Sequence, residues 1–153
     1  MGESIKTRAF RLAFNFWPCY RGTGARVTYI AAHWREARSR LPLSLRTRNY
    51  VGSIFGGSLY AAVDPFYMLM LIHNLGPDYV VWDKAASIRF RRPGRTTLTA
   101  TFRLDEAELQ EIRDLLKDLP KVDRTYTIEL VDKAGVVHAV VEKVVHIARK
   151  ARD

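Results

Sequence analysis

A carboxylate interrupts the most apolar stretch of this chain. Asp64 lies inside the run from Gly57 to Leu75, among Leu59, Tyr60, Val63, Phe66, Met68, Met70 and Leu71. A charge in such surroundings is costly unless it is paired or used, so Asp64 is a candidate general base or nucleophile. Pro65 offers a structural alternative, in which Asp64 caps a helix that restarts with proline at its first position. Upstream, Gly56 and Gly57 open the same segment. Two glycines before a helix leave backbone N–H groups unobstructed at its positive end. Such a nest suits a carbonyl oxygen that becomes an oxyanion, although turn geometry alone also produces glycine pairs.

The elements that must position these residues are legible from periodicity. Residues 57–75 read as one helix, apolar on every face and therefore buried all round. Strands are expected at 25–30 and 33–45, with Pro42 arguing for an edge position or a bulge in the second. Strands return after the helix. Ile88 and Phe90 alternate with Arg89 and Arg91, and Leu98, Ala100, Phe102 and Leu104 alternate with Thr97, Thr99, Thr101 and Arg103. Period two with polar partners predicts a sheet with one covered and one wet face. Asp105 is the expected N-cap of a surface helix that Pro120 closes. Two final strands, 124–131 and 136–147, are joined by a turn ending at Gly135. At the N-terminus, residues 5–16 form an amphipathic helix with Ile5, Ala9, Leu12, Ala13 and Phe16 on one face. That helix is expected to pack across the domain edge; a membrane-surface anchor is the alternative. The fold class is thus α+β, an antiparallel sheet curled round a central helix. One domain spans 1–153, with a helix and linker in 1–24 and the core in 25–147.

Bulk properties narrow the function. The 153 residues suit a single domain. Asp64 would cost about 2.5–3.5 kcal/mol in a bilayer, which argues against a membrane span. Cys19 is the only cysteine, so an intrachain disulfide and a multi-cysteine zinc site are excluded. A reducing, cytoplasmic setting fits, and Cys19 is read as an apolar filler beside Trp17 and Tyr20. His33, His73, His138 and His146 lack metal-ligand spacing. The net charge of +9 implies either an anionic partner or simply a basic surface. No nucleic-acid module is recognisable, so no nucleic-acid partner is expected. Arg91, Arg92 and Arg95 make either a solvated face or a phosphate cradle, for which guanidinium forks are well shaped.

The stretch from Asn49 to Asp64 resembles the central motif of hot-dog thioesterases of the phenylacetate-pathway type. In that pattern Asn precedes a Gly-containing loop, then His-Gly-Gly, then a helix with Asp seven residues after the second Gly. This chain has Asn49, Gly52, Gly56, Gly57 and Asp64 at that spacing. It is most similar to an uncharacterised hot-dog group with Phe-Gly-Gly, here Phe55-Gly56-Gly57. The resemblance implies a hot-dog fold, an acyl-CoA substrate and no further cofactor. It implies that the Gly56 N–H polarises the thioester carbonyl, that Asp64 activates water or attacks directly, and that Asn49 holds the water or the loop. Asp83 is the implied assisting residue on the next strand. Phe55 replaces the family's histidine and cannot hydrogen-bond. A non-catalytic acyl-CoA binder is therefore the alternative to an enzyme.

A helix apolar on all sides needs more cover than one sheet provides, so a homodimer or a homotetramer is expected. If Gly56 and Asp64 share one helix, they lie about 12 Å apart along it. One chain then cannot place both on the same carbonyl, and each active site is expected to be shared between two chains.

Overall fold

The computed structural model describes residues 2–151. Six antiparallel strands form one sheet: β1 (Arg26–Ile30), β2 (Glu36–Leu41), β3 (Tyr79–Phe90), β4 (Leu98–Arg103), β5 (Lys121–Val131) and β6 (Val137–Arg149), in the order β1-β2-β4-β5-β6-β3. Five helices accompany them: α1 (Ile5–Phe16), α2 (Pro18–Gly22), α3 (Gly56–Ala61), α4 (Phe66–Leu75) and α5 (Glu106–Asp118). Helix α4 packs against both β3 and α5, and α5 against β5. The β4 alternation holds throughout: Leu98, Ala100 and Phe102 are buried and the residues between them are exposed. The Phe102 ring stacks on Phe66 of α4 at 4.3 Å, which ties sheet to helix. Asp105 caps α5 by accepting a hydrogen bond from the Glu108 N–H at 2.7 Å.

Four expectations need correction. The central segment is two helices, with a turn at residues 62–65. Pro65 has no N–H to donate to the Ala61 carbonyl, and its ring crowds that turn, so the helix restarts at Phe66. Neither half is buried all round: α4 buries Phe66, Tyr67, Met70 and Leu71 but exposes Ile72 and His73. The second strand stops at Leu41, because Pro42 cannot continue the ladder. Yet β2 is an interior strand with β1 and β4 on either side, not an edge. Cys19 is exposed rather than buried as filler.

The fourth concerns α1. It packs on β1 through a face not foreseen: Thr7 is buried, and Phe10 and Phe14 lie against the core. The expected stripe of Ile5, Ala9, Leu12, Ala13 and Phe16 faces solvent. Aromatic contacts decide the matter, since Phe10 meets Trp34 edge-on at 4.8 Å and Phe14 meets Tyr20 at 4.8 Å.

Candidate active site

The motif loop is built by Asn49. Its Oδ1 accepts from the N–H groups of Val51 and Ser53 at 3.1 and 3.0 Å, and its Nδ2 donates to Ser53 Oγ at 3.0 Å. Gly52 takes φ +80 inside this turn, a conformation costly for any residue with a Cβ. Two further bonds fix the loop: Phe55 N–H donates to Thr47 O at 2.7 Å, and Ile54 N–H donates to Gly94 O at 2.8 Å. The second bond joins the loop to residues 91–94. That segment is itself anchored, since the Arg91 and Arg92 N–H groups both donate to His138 O.

Between the two segments lies a cavity of about 350 Å³, whose lining includes Asn49, Ser53, Gly56, Phe90, Arg91 and Arg92. The Gly56 N–H has no protein acceptor among the described residues. A Cβ at Gly56 would lie 3.0 Å from the Phe90 ring, so glycine keeps this wall open. The expected oxyanion donor, the loop asparagine and two of the three expected arginines thus meet. Arg95 is exposed and does not line this space. Phe55 precedes α3 with its ring largely in solvent and makes no side-chain cap.

Asp64 lies elsewhere, in the turn between α3 and α4. The capping alternative fails, because its carboxylate is turned to other partners. Asp64 Oδ1 accepts from the Tyr60 hydroxyl at 2.7 Å and from Lys143 Nζ at 3.0 Å. Tyr60 stands one helical turn before it, the spacing at which side chains meet. Lys143 Nζ also donates to the Asp64 carbonyl oxygen and, at 2.7 Å, to Asp83 Oδ2. The Lys143 side chain is 0% exposed, against 44% for Asp64 and 20% for Asp83. One ammonium therefore serves two carboxylates. Asp83 Oδ1 is buried without a partner. Burial raises the pKa of Asp83 from its ordinary value, outweighing the Lys143 contact that lowers it; Asp64 raises it further. The Tyr60 hydroxyl is also pushed up, first by burial and then by its bond to Asp64. Asp64 and Tyr60 line a second cavity of about 280 Å³ with Phe14, Cys19, Tyr20 and Pro65. Asp83 lines neither cavity.

Lys143 was not foreseen. Its signal is a break in alternation: Ala139, Val141, Val145 and Ile147 are the buried row of β6, and Lys143 occupies the position between Val141 and Val145. A β-bulge between Asp83 and Ala85, in the pairing of β3 with β6, lets the Asp83 carboxylate reach it.

The raised pKa of Asp83 gives a testable sign. A carboxyl whose folded pKa exceeds its unfolded value contributes stability below the unfolded pKa and loses it as pH rises through the folded one. Asp83→Asn cannot ionise. Its stability relative to the wild type should therefore increase as pH climbs from about 4 toward neutrality, measured by urea midpoints across that range. A difference that is constant with pH would refute the burial argument.

The family model of a domain of unknown function, DUF4442, matches residues 6–147. The chain belongs to that family. No curated protein sequence matches this DUF4442 chain. Among solved structures, it is similar to a Pseudomonas aeruginosa protein of unknown function described as a probable thioesterase. Identity is 18%, the coverage is 98% of this chain and 100% of that one, and the TM-score is 0.82. A Haemophilus influenzae thioesterase is 12% identical with a TM-score of 0.69, covering 96% and 93% of the two chains. The PaaI protein of the Escherichia coli phenylacetic acid degradation operon is 18% identical with a TM-score of 0.62, covering 97% of each. These likenesses establish the hot-dog fold for the DUF4442 chain. Among the described residues no group of three or more His, Cys, Asp or Glu side chains could hold a metal ion, and no described helix is long and apolar enough to cross a membrane.

Proposed function

We propose that the protein is an acyl-CoA thioesterase whose active sites are shared between two chains. The observation that carries this reading is the Asp64 carboxylate. Its Oδ1 is held by Tyr60 and Lys143, while Oδ2 has no protein partner among the described residues, so a water can approach it. Asp64 Oδ2 takes a proton from that water as the oxygen attacks the thioester carbon. The carbonyl oxygen becomes an oxyanion on the Gly56 N–H. The intermediate then collapses, the carbon–sulfur bond breaks, and the CoA thiolate takes the proton from Asp64. Direct attack by Asp64 is the variant of this scheme. Arg91 and Arg92, at the Gly56 cavity, suit the CoA phosphates. Asn49 acts by holding the loop.

Two features support sharing. Gly56 and Asp64 line separate cavities; this takes the place of the one-helix spacing, which the turn at 62–65 does not allow. The second feature is β3, whose outer edge has no strand partner and whose Trp82 and Phe90 are exposed, as are Tyr50, Val51 and Phe55 around the motif loop. A facing copy would cover that apolar rim and bring its Asp64 toward this chain's Gly56, twice per dimer by symmetry.

The test is hydrolysis of CoA esters of graded chain length, with binding followed by calorimetry. Phe55 favours a second reading, a non-catalytic acyl-CoA binder, and binding without turnover would select it. Phe55→His should then raise turnover on at least one ester. Sharing is tested by mixing Asp64→Asn with Gly56→Val, whose side chain would strike the Phe90 ring. Random mixing should regain about a quarter of wild-type activity, because half the dimers are mixed and half their sites intact. Demonstrated mixed dimers with no regained activity would exclude the shared site.

A further inference from the structure

Helix α1 has two apolar faces, and only one of them is used. The first docks on the domain through Phe10 and Phe14, and Asn15 fastens it by donating to Val27 O at 2.9 Å and accepting from Val27 N–H at 2.7 Å. On the opposite side Ile5 is 90% exposed, Leu12 48%, Phe16 70% and the adjoining Trp17 62%. Ala9 and Ala13 fill the space between them at helical spacing. This is a continuous apolar stripe held rigidly outward.

The borders of the stripe say what covers it. Lys6 and Arg8 are exposed and stand on its two sides, as 100° per residue requires, and neither is in an ion pair among the described residues. Helix α1 contains no acidic residue. Glu3, just before it, is already bound by Arg11 at 2.7 Å and by the Ile30 N–H. Arg21, exposed on α2, adds a third cation nearby. An apolar stripe bordered by cations, with a tryptophan at its end, has the composition of a helix lying in a membrane interface. A two-fold contact with a second copy would instead place Lys6 and Arg8 beside a second α1 that offers no acidic residue to pair them.

We infer that α1 and Trp17 form a surface that lies in the headgroup layer of an anionic bilayer, without spanning it. Ile5, Leu12, Phe16 and Trp17 enter the acyl boundary, while Lys6, Arg8 and Arg21 meet lipid phosphates. The whole chain, with its net charge of +9, is drawn to such a surface. Phe14 of α1 also walls the Asp64 cavity. A membrane-docked α1 therefore holds that cavity close to the bilayer, where long-chain acyl thioesters partition. This last consequence rests on the thioesterase reading; the docking itself does not.

The experiment is vesicle flotation with the full chain and requires no activity measurement. Vesicles of phosphatidylcholine are compared with vesicles containing an equal part of phosphatidylglycerol, at about 0.1 M and about 1 M salt. Binding should appear on the anionic vesicles and fall at high salt. Lys6→Gln with Arg8→Gln should weaken it about thirtyfold, from the usual contribution of a basic residue near a charged surface. Phe16→Ser with Trp17→Ser should weaken it at least about tenfold, and both pairs are exposed, so the fold is unaffected. Absent binding, equal binding to both vesicle types, or binding that neither pair weakens would each overturn the inference. So would an oligomer, seen by light scattering without vesicle binding, that Phe16→Ser with Trp17→Ser dissociates; a second copy would then own this face.

Discussion

Asp64→Asn should lower thioester hydrolysis by about 10²–10⁴-fold, the usual loss when a positioned base is removed. A carboxylate presents two oxygens, and Tyr60 and Lys143 converge on Oδ1 alone. Asparagine can keep an acceptor for both donors, and its amide nitrogen then occupies the Oδ2 position, where it cannot take a proton from water. The variant should therefore keep its fold, to be verified by an unchanged urea midpoint, while kcat collapses. Undiminished turnover on the best acyl-CoA would remove Asp64 from the chemistry.

Lys143→Met should destabilise the fold by about 3–5 kcal/mol, the range for breaking a buried ion pair by deleting one partner. Methionine matches the stem of lysine but supplies no charge. Asp83 suffers most, since its carboxyl is the more buried of the two and one oxygen already lacks a partner. Adding Asp83→Asn to Lys143→Met should accordingly recover part of the loss, as a double-mutant cycle of urea denaturations would show. Equal destabilisation in the single and double variants would mean that Lys143 acts through packing of its stem.

Why some of this was readable and some was not follows from the residues themselves. The motif loop was legible because its chemistry is local. Asn49 closes a turn over the next four residues, and Gly52 and Gly56 are required by a positive φ and by the approach of the Phe90 ring. Strand β4 announced itself by alternation, β5 and β6 by the turn between them that ends at Gly135, and α5 by its cap. The break at Pro65 was visible as a residue but was overridden by the apolarity on both sides of it. The face of α1 was misjudged for a related reason: a hydrophobic stripe shows which side is apolar, but Phe10 and Phe14 compete with it, and contacts with Trp34 and Tyr20 decide. Lys143 was missed because its partners lie 79 and 60 positions away. Within β6 a lysine among valines looks like an exposed residue on a strand; only the bulge at Asp83 makes it an internal counterion.

The position of β6 also bears on when the molecule can fold. This strand lies between β5 and β3, so β3, although earlier in the chain, has no place in the sheet until β6 has formed beside it. Such distant pairing is slow, because the loop must close before the contacts reward it. The ammonium that pairs with Asp64 and Asp83 arrives on the same strand. A ribosome-bound chain that lacks β6 therefore holds two carboxylates that cannot be buried and a β3 with both edges open, and α4 has no finished sheet to pack on. Strands β1, β2 and β4 can pair with one another before then, but β3 must wait, and completion of the hot-dog is coupled to the emergence of its last strand.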